Sequence, residues 1–331
     1  QNTNTFDAYN YISKNYDPFV GEYKIIVDNG ARTGAVLYQI IELNSDNFVS
    51  TLRKINTEDS AMYKYFVFGS DITLNSWVGN DQGDFVARAD QAGGYYVFNQ
   101  LYGNIDARGY SLNAVVNTTA TTFGGFIGNN RCNWQNLVFN LDATYGATAY
   151  GLLTANSWGG CFENCYINII ATSVDSNGNV VPDVKTSVVY TPRNCNYINN
   201  IMVVKQTEGS SIKYFTDVIG SRPHFENIIF IRNTPTTDII LSQSASWMSR
   251  EFINCYYYTN LTEFVNGGKG ALIDVPSGVE FSAKAIEGEI SYKEFDDVWE
   301  ITDKEVRLFD RRIILIVETG DNFVNEEEIV G

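Results

Sequence analysis

Two glutamates at the same position of a repeated pattern are the residues whose type and spacing could do acid–base chemistry. Glu163 and Glu226 each follow a phenylalanine and precede an asparagine. If each repeat is one coil of stacked strands, their carboxylates lie two coils apart, at about 9.6 Å. This is close to the separation of about 6.5–9.5 Å in inverting glycoside hydrolases. With Asn199 predicted between them and Asp217 and His224 near Glu226, the catalytic hypothesis is a glycan-cleaving site of Glu163, Glu226, Asp217 and His224.

The opposing interpretation is that these carboxylates are ordinary surface groups, because charged side chains mostly lie outside. A lyase would favour clustered Lys, Arg and acidic calcium ligands, and the predicted coils carry no such cluster. The segment 175–179 (DSNGN) has its glycine too early for a calcium loop and lacks the closing glutamate, so it is predicted to be a turn. We therefore predict that the protein is not an enzyme.

A binding function needs only exposed aromatic side chains, which can stack on sugars or pack against protein. The candidates for such contacts are Trp77, Trp158, Trp247, Tyr256 and Tyr258.

The elements that must position these residues come from a repeat of an apolar residue, any residue, asparagine, then apolar–any–apolar. It occurs at residues 134–139, 162–167, 198–203, 225–230 and 252–257, with steps of 28, 36, 27 and 27 residues between asparagines. A repeat of this length indicates stacked units that cannot bury their apolar face alone. The alternation has period two, which predicts strands and hence a parallel β-helix. The long step is explained by the turn at 175–179.

The repeated asparagines are predicted to form a structural ladder rather than a ligand site. Stacked coils place equivalent residues above one another, so that each amide can hydrogen-bond the next. The predicted members are Asn136, Asn164, Asn200, Asn227 and Asn254.

The predicted fold is all-β: a right-handed parallel β-helix with an N-terminal capping helix. Residues 45–56 are predicted to form that helix, with Phe48, Leu52 and Ile55 on one face. The predicted divisions are an irregular or attachment segment at 1–36 with a strand at 23–27, the β-helix at 37–310, and a strand with an acidic tail at 311–331.

Further motifs resemble a known family. Residues 103–112 (GNIDARGYSL), the strand end at 71–74, the Gly-Phe-Ile-Gly of 125–128 and the closing segment 295–308 are together similar to GLUG-type β-helix domains. Ala107 and Arg307 stand where that family usually has glycine and proline. The resemblance implies a β-helix of the kind found in bacterial surface and adhesin-like proteins, and in phage tail and receptor-binding proteins.

The chain is acidic, with a net charge of −16 and a pI of about 4.5. This argues against nucleic acid and anionic lipid as partners. No apolar stretch is long enough for a membrane helix. With one histidine and no paired Cys/His spacing, we expect no metal and no cofactor. The five cysteines are predicted to be mainly buried, although Cys132 and Cys161 could pair.

These observations predict a structural or adhesive protein on an exterior surface, of a virion or a bacterial cell. Its expected partner is a cell-surface glycan or a neighbouring structural subunit, and a homotrimer is one possible assembly. The alternatives are a β-helical polysaccharide depolymerase and a pure assembly subunit.

Overall fold

The fold is described from a computed structural model. It describes residues 21–28, 33–55, 65–78, 86–87, 95–118, 123–146, 151–182, 187–206, 214–218, 223–232, 240–243, 251–253, 255–258, 271–272, 281–282, 299–301 and 306–308. The predicted C-terminal strand and acidic tail lie outside these residues.

Strands dominate the described residues. The first part contains β1 (Gly21–Asp28), β2 (Thr33–Leu43), α1 (Phe48–Ile55), β3 (Tyr65–Phe68), β4 (Ile72–Val78) and β5 (Val86–Ala87). The middle contains β6 (Tyr95–Asp106), β7 (Ser111–Thr118), β8 (Phe123–Gln135), β9 (Val138–Gly146), β10 (Gly151–Trp158), β11 (Cys161–Glu163), β12 (Tyr166–Val174), β13 (Ser187–Arg193), β14 (Asn196–Ile198) and β15 (Ile201–Gln206). The last part contains β16 (Tyr214–Val218), β17 (His224–Glu226), β18 (Ile229–Arg232), β19 (Ile240–Gln243), β20 (Glu251–Ile253), β21 (Tyr256–Tyr258), β22 (Ala271–Leu272), β23 (Phe281–Ser282), β24 (Trp299–Ile301) and β25 (Val306–Leu308).

The chain winds as a parallel β-solenoid of about five turns, which confirms the predicted β-helix. Each strand pairs with the equivalent strand one coil away. One sheet stacks β3, β6, β8, β10, β13, β16 and β19 in that order, and β11, β14, β17 and β20 continue from β8. The other stacks β4, β7, β9, β12, β15, β18 and β21. A coil such as β10–β11–β12 therefore contributes three strands.

The helix α1 packs against the first coils through its apolar face. Phe48 and Leu52 are fully buried. The Phe48 ring meets Phe68 and Phe98 edge-on, with centroids 5.9 and 5.6 Å apart. Asn44 precedes the helix, and its Oδ1 accepts a hydrogen bond from the backbone N–H of Asn47 at 3.1 Å. The predicted helix is thus present, and its role as an end cap remains a prediction.

The N-terminal strands continue the solenoid sheet. β1 and β2 form an antiparallel pair, and β2 then pairs in parallel with β3. β1 includes the strand predicted at 23–27. The predicted division between residues 36 and 37 falls inside β2.

Large aromatic side chains stack inside the coils where β8, β11, β14 and β17 align. Trp134, Phe162, Tyr197 and Phe225 lie above one another with centroid separations of 6.1, 5.5 and 5.1 Å. Their planes deviate by 11° or less. All four are buried. Since the rings repeat with the strand spacing, this column fixes which residues of successive coils are equivalent.

An asparagine ladder runs along the corner after these strands. Asn136 donates its Nδ2 hydrogen to Asp106 Oδ1 at 3.0 Å, and Asn164 donates to Asn136 at 3.4 Å. Asn199 donates to Asn164 at 3.1 Å, and Asn227 donates to Asn199 at 2.9 Å. Asn136, Asn164 and Asn199 therefore each donate one hydrogen bond and accept another along the solenoid axis.

The predicted ladder was wrong at Asn200, because the repeat is aligned one residue earlier in this coil. Tyr197 pairs with Phe162, so Asn199 occupies the ladder position. Asn200 points inward, where its Oδ1 accepts from the Cys165 N–H at 2.8 Å and its Nδ2 donates to the Phe162 carbonyl at 2.8 Å. The steps from Asn136 are consequently 28, 35 and 28 residues. Asn254 lies outside the described residues.

Asparagine suits this corner because the backbone there is left-handed. The φ angles of Asn136, Asn164, Asn199 and Asn227 are 53, 55, 52 and 53°. Asparagine tolerates this region better than most residues other than glycine. One left-handed residue turns the chain between the two sheets and supplies the ladder amide at the same time.

The turn predicted at 175–179 is present between β12 and β13. The backbone N–H of Asp175 donates to the Asn179 carbonyl at 2.8 Å, and the Asp175 carboxylate accepts from the N–H groups of Asn177 and Asn179. The Asn179 side-chain amide, which donates to the same carboxylate, and then the backbone N–H groups of Asn179 and Asn177 hold the pKa of Asp175 below its usual value. The insertion closes on itself and leaves the coil register unchanged.

Replacing Asn164 by alanine should lower the free energy of unfolding by about 2–3 kcal/mol. The change removes the ladder hydrogen bonds that Asn164 makes to the coil before it and to the coil after it. It also puts alanine, which disfavours a left-handed backbone more than asparagine does, at a left-handed position. Urea unfolding followed by circular dichroism measures the loss.

Asn164→Gly separates the two contributions, because glycine accepts the backbone angle but cannot join the ladder. We expect it to lose about 1 kcal/mol less than the alanine variant. A glycine variant as stable as the unmodified protein would show that the ladder contributes no stability.

Candidate functional site

A strip of alternating aromatic and arginine side chains lies on the outer face of the long sheet. We call Tyr102, Arg131, Trp158 and Arg193 the aromatic–arginine strip. Tyr102 pairs with Arg131 between β6 and β8, and Trp158 pairs with Arg193 between β10 and β13. The two pairs join because Asn130 and Ser157, the preceding residues of β8 and β10, are also paired. The strip therefore crosses four successive coils, a length of about 14 Å.

Strand alternation turns the strip outward. The residues beside Arg131 in β8, Asn130 and Cys132, are fully buried, whereas Arg131 itself is exposed. In β10, Ser157 is fully buried and Trp158 is 42% exposed. The inward hydroxyl of Ser157 lies 3.1 Å from the Tyr197 hydroxyl. The buried residues thus fix the strand orientation and leave the strip at the surface.

Each arginine of the strip lies over the aromatic ring of the preceding coil. The Arg131 Cζ atom is 5.5 Å from the Tyr102 ring centroid, and the Arg193 Cζ atom is 5.0 Å from the Trp158 centroid. Both distances are in the range of cation–π attraction. The Tyr102 hydroxyl also donates to Gln100 Oε1 at 2.8 Å. These contacts hold the planar guanidinium groups in a fixed orientation along the strip.

Neither arginine of the strip has a carboxylate partner among the described residues. The ion pair found there on the same face joins His224 and Glu226 instead, at 2.9 Å. The buried Nε of Arg193 makes no hydrogen bond. The cationic groups of the strip are therefore available to an external acceptor.

A second column, which contains the catalytic candidates, runs parallel to the strip. Glu163 pairs with Ile198, which pairs with Glu226, and Gln135 precedes them in β8. We call Gln135, Glu163, Ile198 and Glu226 the carboxylate column. The two glutamates do share one position two coils apart, as predicted. The residue between them is Ile198 rather than Asn199, because the third coil is aligned one residue earlier.

The two glutamates have different polar neighbours. Glu163 Oε2 accepts a hydrogen bond from Gln135 Nε2 at 3.5 Å. Glu226 Oε2 lies 2.9 Å from His224 Nε2. Asp217 lies in β16, a different strand from both, and its side chain is outside the described residues. The structure therefore joins His224 to Glu226 and places an apolar side chain between the two carboxylates.

The predicted aromatic contacts differ in their exposure. Trp158 is exposed, whereas Tyr256 is half-buried and Tyr258 is 1% exposed. The Tyr258 ring is thus not available for stacking at the surface. Trp77 lies in β4, with a side chain outside the described residues, and Trp247 lies outside them altogether.

Three residues of the strip were missed by the sequence analysis. Tyr102, Arg131 and Arg193 lie outside the asparagine repeat on which that analysis was based. Aligning the segments before each repeat would have found them, since Arg131 precedes Asn136 by five residues, and Trp158 and Arg193 each precede their ladder asparagine by six. The spacing is one residue longer after Trp158 and Arg193 because the chain forms a left-handed corner there. The corner residues are Gly159 and Asn194, with φ of 77 and 47°.

The cysteines are separate thiols, so the suggested pairing of Cys132 with Cys161 was wrong. Cys132 is in the core, but Cys161 pairs with Asn133, the next residue after Cys132, and so faces the opposite side of the sheet. Burial followed by the nearby Glu163 raises the pKa of Cys161 to about 12. Burial likewise raises the pKa of Cys255 to about 12 and those of Cys132, Cys165 and Cys195 above the usual value.

Neither the models of protein families nor the curated proteins match the sequence. Among the described residues, no helix is long and apolar enough to cross a membrane.

All five thiols should resist alkylation in the folded protein at pH 8. Their raised pKa values keep them protonated, and the thiolate is the reactive form. Mass spectrometry after iodoacetamide treatment should find the native chain unlabelled for minutes and all five cysteines labelled in urea. Rapid labelling of Cys161 in the native protein would contradict this assignment.

Proposed function

We propose that the protein is a non-enzymatic, adhesive β-helix that binds glycans through the aromatic–arginine strip. The observation that carries the proposal is the exposed Trp158 ring, which is flanked along the axis by two arginines that have no carboxylate partner in the described part of the chain. A partly exposed indole with hydrogen-bond donors beside it matches the two needs of sugar binding. Arg193 lies over the ring, so a sugar would contact the part of the indole that the guanidinium leaves uncovered. The ring contacts the apolar face of a sugar, and the donors contact its oxygens.

The solenoid supports this function by its rigidity. Backbone hydrogen bonds between successive coils fix Arg131, Trp158 and Arg193 at regular intervals, so little conformational freedom is lost when a ligand binds. The repeat direction also matches an extended polymer, which could follow the strip across several coils. A short soluble ligand would use only part of this length.

The proposed setting is an exterior surface, as a component of a virion or of a bacterial cell surface. The resemblance of residues 103–112 to GLUG-type domains supports it, because those domains occur in surface and adhesin-like proteins. Neighbouring structural subunits are the other proposed partners, and a homotrimer would place several strips on one assembly. Multiple strips would raise the avidity for a repetitive glycan without any new contact.

Trp158→Ala should weaken glycan binding by about tenfold, because it removes the aromatic surface at the centre of the strip. Binding is measured on an array of bacterial surface polysaccharides, and then by calorimetry with a polysaccharide that the unmodified protein retains.

Tyr110→Ala is the matched control, since Tyr110 is an aromatic residue of similar exposure, 39%, outside the strip. It should bind as the unmodified protein does. Equal binding by the Trp158 variant would exclude the strip as the glycan site.

A glycan-cleaving enzyme is the second candidate, and the carboxylate column favours it. Glu163 and Glu226 share one column, and Glu226 contacts a histidine that can exchange a proton. Two coils correspond to about 9.6 Å, near the inverting separation. Against it, Ile198 lies between the carboxylates, at the position where a water and the scissile bond would have to fit.

On our proposal, neither the unmodified protein nor its Glu226→Gln variant releases reducing ends from bacterial polysaccharides. The reducing-sugar assay would be compared with an Asp142→Asn variant, which changes an exposed acid on a different sheet. Sugar release that Glu226→Gln abolishes and Asp142→Asn leaves intact would establish the enzyme instead.

A further inference from the structure

We propose that the strip selects anionic saccharides, with Arg131 and Arg193 binding carboxylate or sulfate groups on either side of a sugar at Trp158. This inference rests on the proposed glycan-binding function and specifies its ligand class. It depends on the charges of the strip, which the glycan-binding function alone does not require.

The two arginines of the strip are outward-facing cations in an acidic chain. The protein has 39 acidic and 23 basic residues, so an exposed arginine would be expected to find an acidic neighbour. Glu163 and Glu226 lie on the same face, but they are two outward-facing positions further along the strands than the strip. This separation from the strip is about 13 Å. The neutral side chains of Asn104, Asn133, Cys161 and Asn196 lie between them and the strip. Among the described residues, no carboxylate thus neutralises the positive charge of the strip.

The guanidinium groups of the strip are oriented for binding an oxyanion. Each lies over a ring, at 5.5 Å for Arg131 and 5.0 Å for Arg193, which orients the plane of its N–H donors. A fixed guanidinium can bind a carboxylate or sulfate through two parallel hydrogen bonds. The buried Nε of Arg193 has no acceptor among the described residues, although buried donors are normally paired. An oxyanion that draws this guanidinium toward itself would supply one.

The spacing of the two arginines suits a polymer with repeated acidic groups. Arg131 and Arg193 are two coils apart, about 9.6 Å, with Trp158 between them. A polysaccharide with regularly spaced acidic groups could therefore engage both arginines while an intervening sugar contacts the indole. A neutral polysaccharide would contact the indole but leave both cations without a counter-charge.

The test uses matched pairs of polymers that differ in charge alone. Calorimetry compares polygalacturonate with its methyl ester, and dextran sulfate with dextran, for the full chain. We expect each acidic member to bind at least about tenfold more tightly than its neutral counterpart, with affinity falling as salt is raised. Preference for polygalacturonate or for dextran sulfate distinguishes carboxylate from sulfate recognition.

Single substitutions test whether the arginines of the strip cause the preference for acidic polymers. Arg131→Gln and Arg193→Gln should each lose about tenfold toward the acidic polymer and little toward a neutral one. Lys205→Gln removes the same charge from an exposed position on the other sheet and should bind normally. Thermal unfolding of all three variants checks that the fold is retained.

The outcomes separate this inference from the proposed function. If Trp158→Ala abolishes binding to neutral and acidic polymers alike while both arginine variants bind normally, the strip binds glycans but does not select charge. If acidic polymers bind equally to the strip variants and to Lys205→Gln, attraction is unrelated to the strip and the anionic inference is overturned. If no polymer and no array glycan requires Trp158, the proposed function itself is wrong.

Discussion

The hydrogen bonding between equivalent strands of successive coils is the constraint on which the rest of the structure depends. It spaces the coils regularly and places side chains of the same position above one another. The aromatic stack from Trp134 to Phe225, the asparagine ladder and the aromatic–arginine strip are three results of this single constraint. A residue in this protein therefore acts through the members of its column, in the coil before and the coil after, more than through its neighbours along the chain.

Parallel pairing also explains why the outer faces differ. On the second sheet, Asn113, Asn140 and Asn168 form another hydrogen-bonded column, with distances of 2.8 and 3.2 Å. The next two members of that column are Val203 and Ile231, which are buried although they face away from the core. The strip and the carboxylate column lie on the first sheet, where polar and charged side chains alternate with the buried aromatic stack. The outward residues of each strand thus determine whether a face carries charged, amide or apolar side chains.

The sequence was sufficient to predict the fold but not the full site. The apolar–x–Asn pattern recurs at a nearly constant step, because each coil of the solenoid contributes one copy of it. The β-helix, the turn at 175–179 and three ladder residues could therefore be predicted. The third coil contains two adjacent asparagines, and the sequence pattern alone preferred Asn200. The structure selects Asn199, because Tyr197 must stack on Phe162 and only one of the two amides can then occupy the corner. Arg131 and Arg193 could not be recognised before the coils were aligned, because only the alignment places each arginine over the aromatic ring of the preceding coil.

The asparagine ladder has a direction, and this limits how such a protein could have lengthened. Each of the four amides donates toward the first coil, and Asn136, Asn164 and Asn199 also accept from the following one, so these three occupy equivalent positions in the ladder. Asp106 ends the series because a carboxylate accepts hydrogen bonds but has no amide hydrogen to pass on. A duplicated coil inserted anywhere after Asn136 would extend the same chain of amides without disturbing its neighbours. A duplicate of the coil that carries Asp106 would interrupt the series, because its carboxylate has no amide hydrogen to donate, which makes the duplication of internal coils the easier route to a longer solenoid.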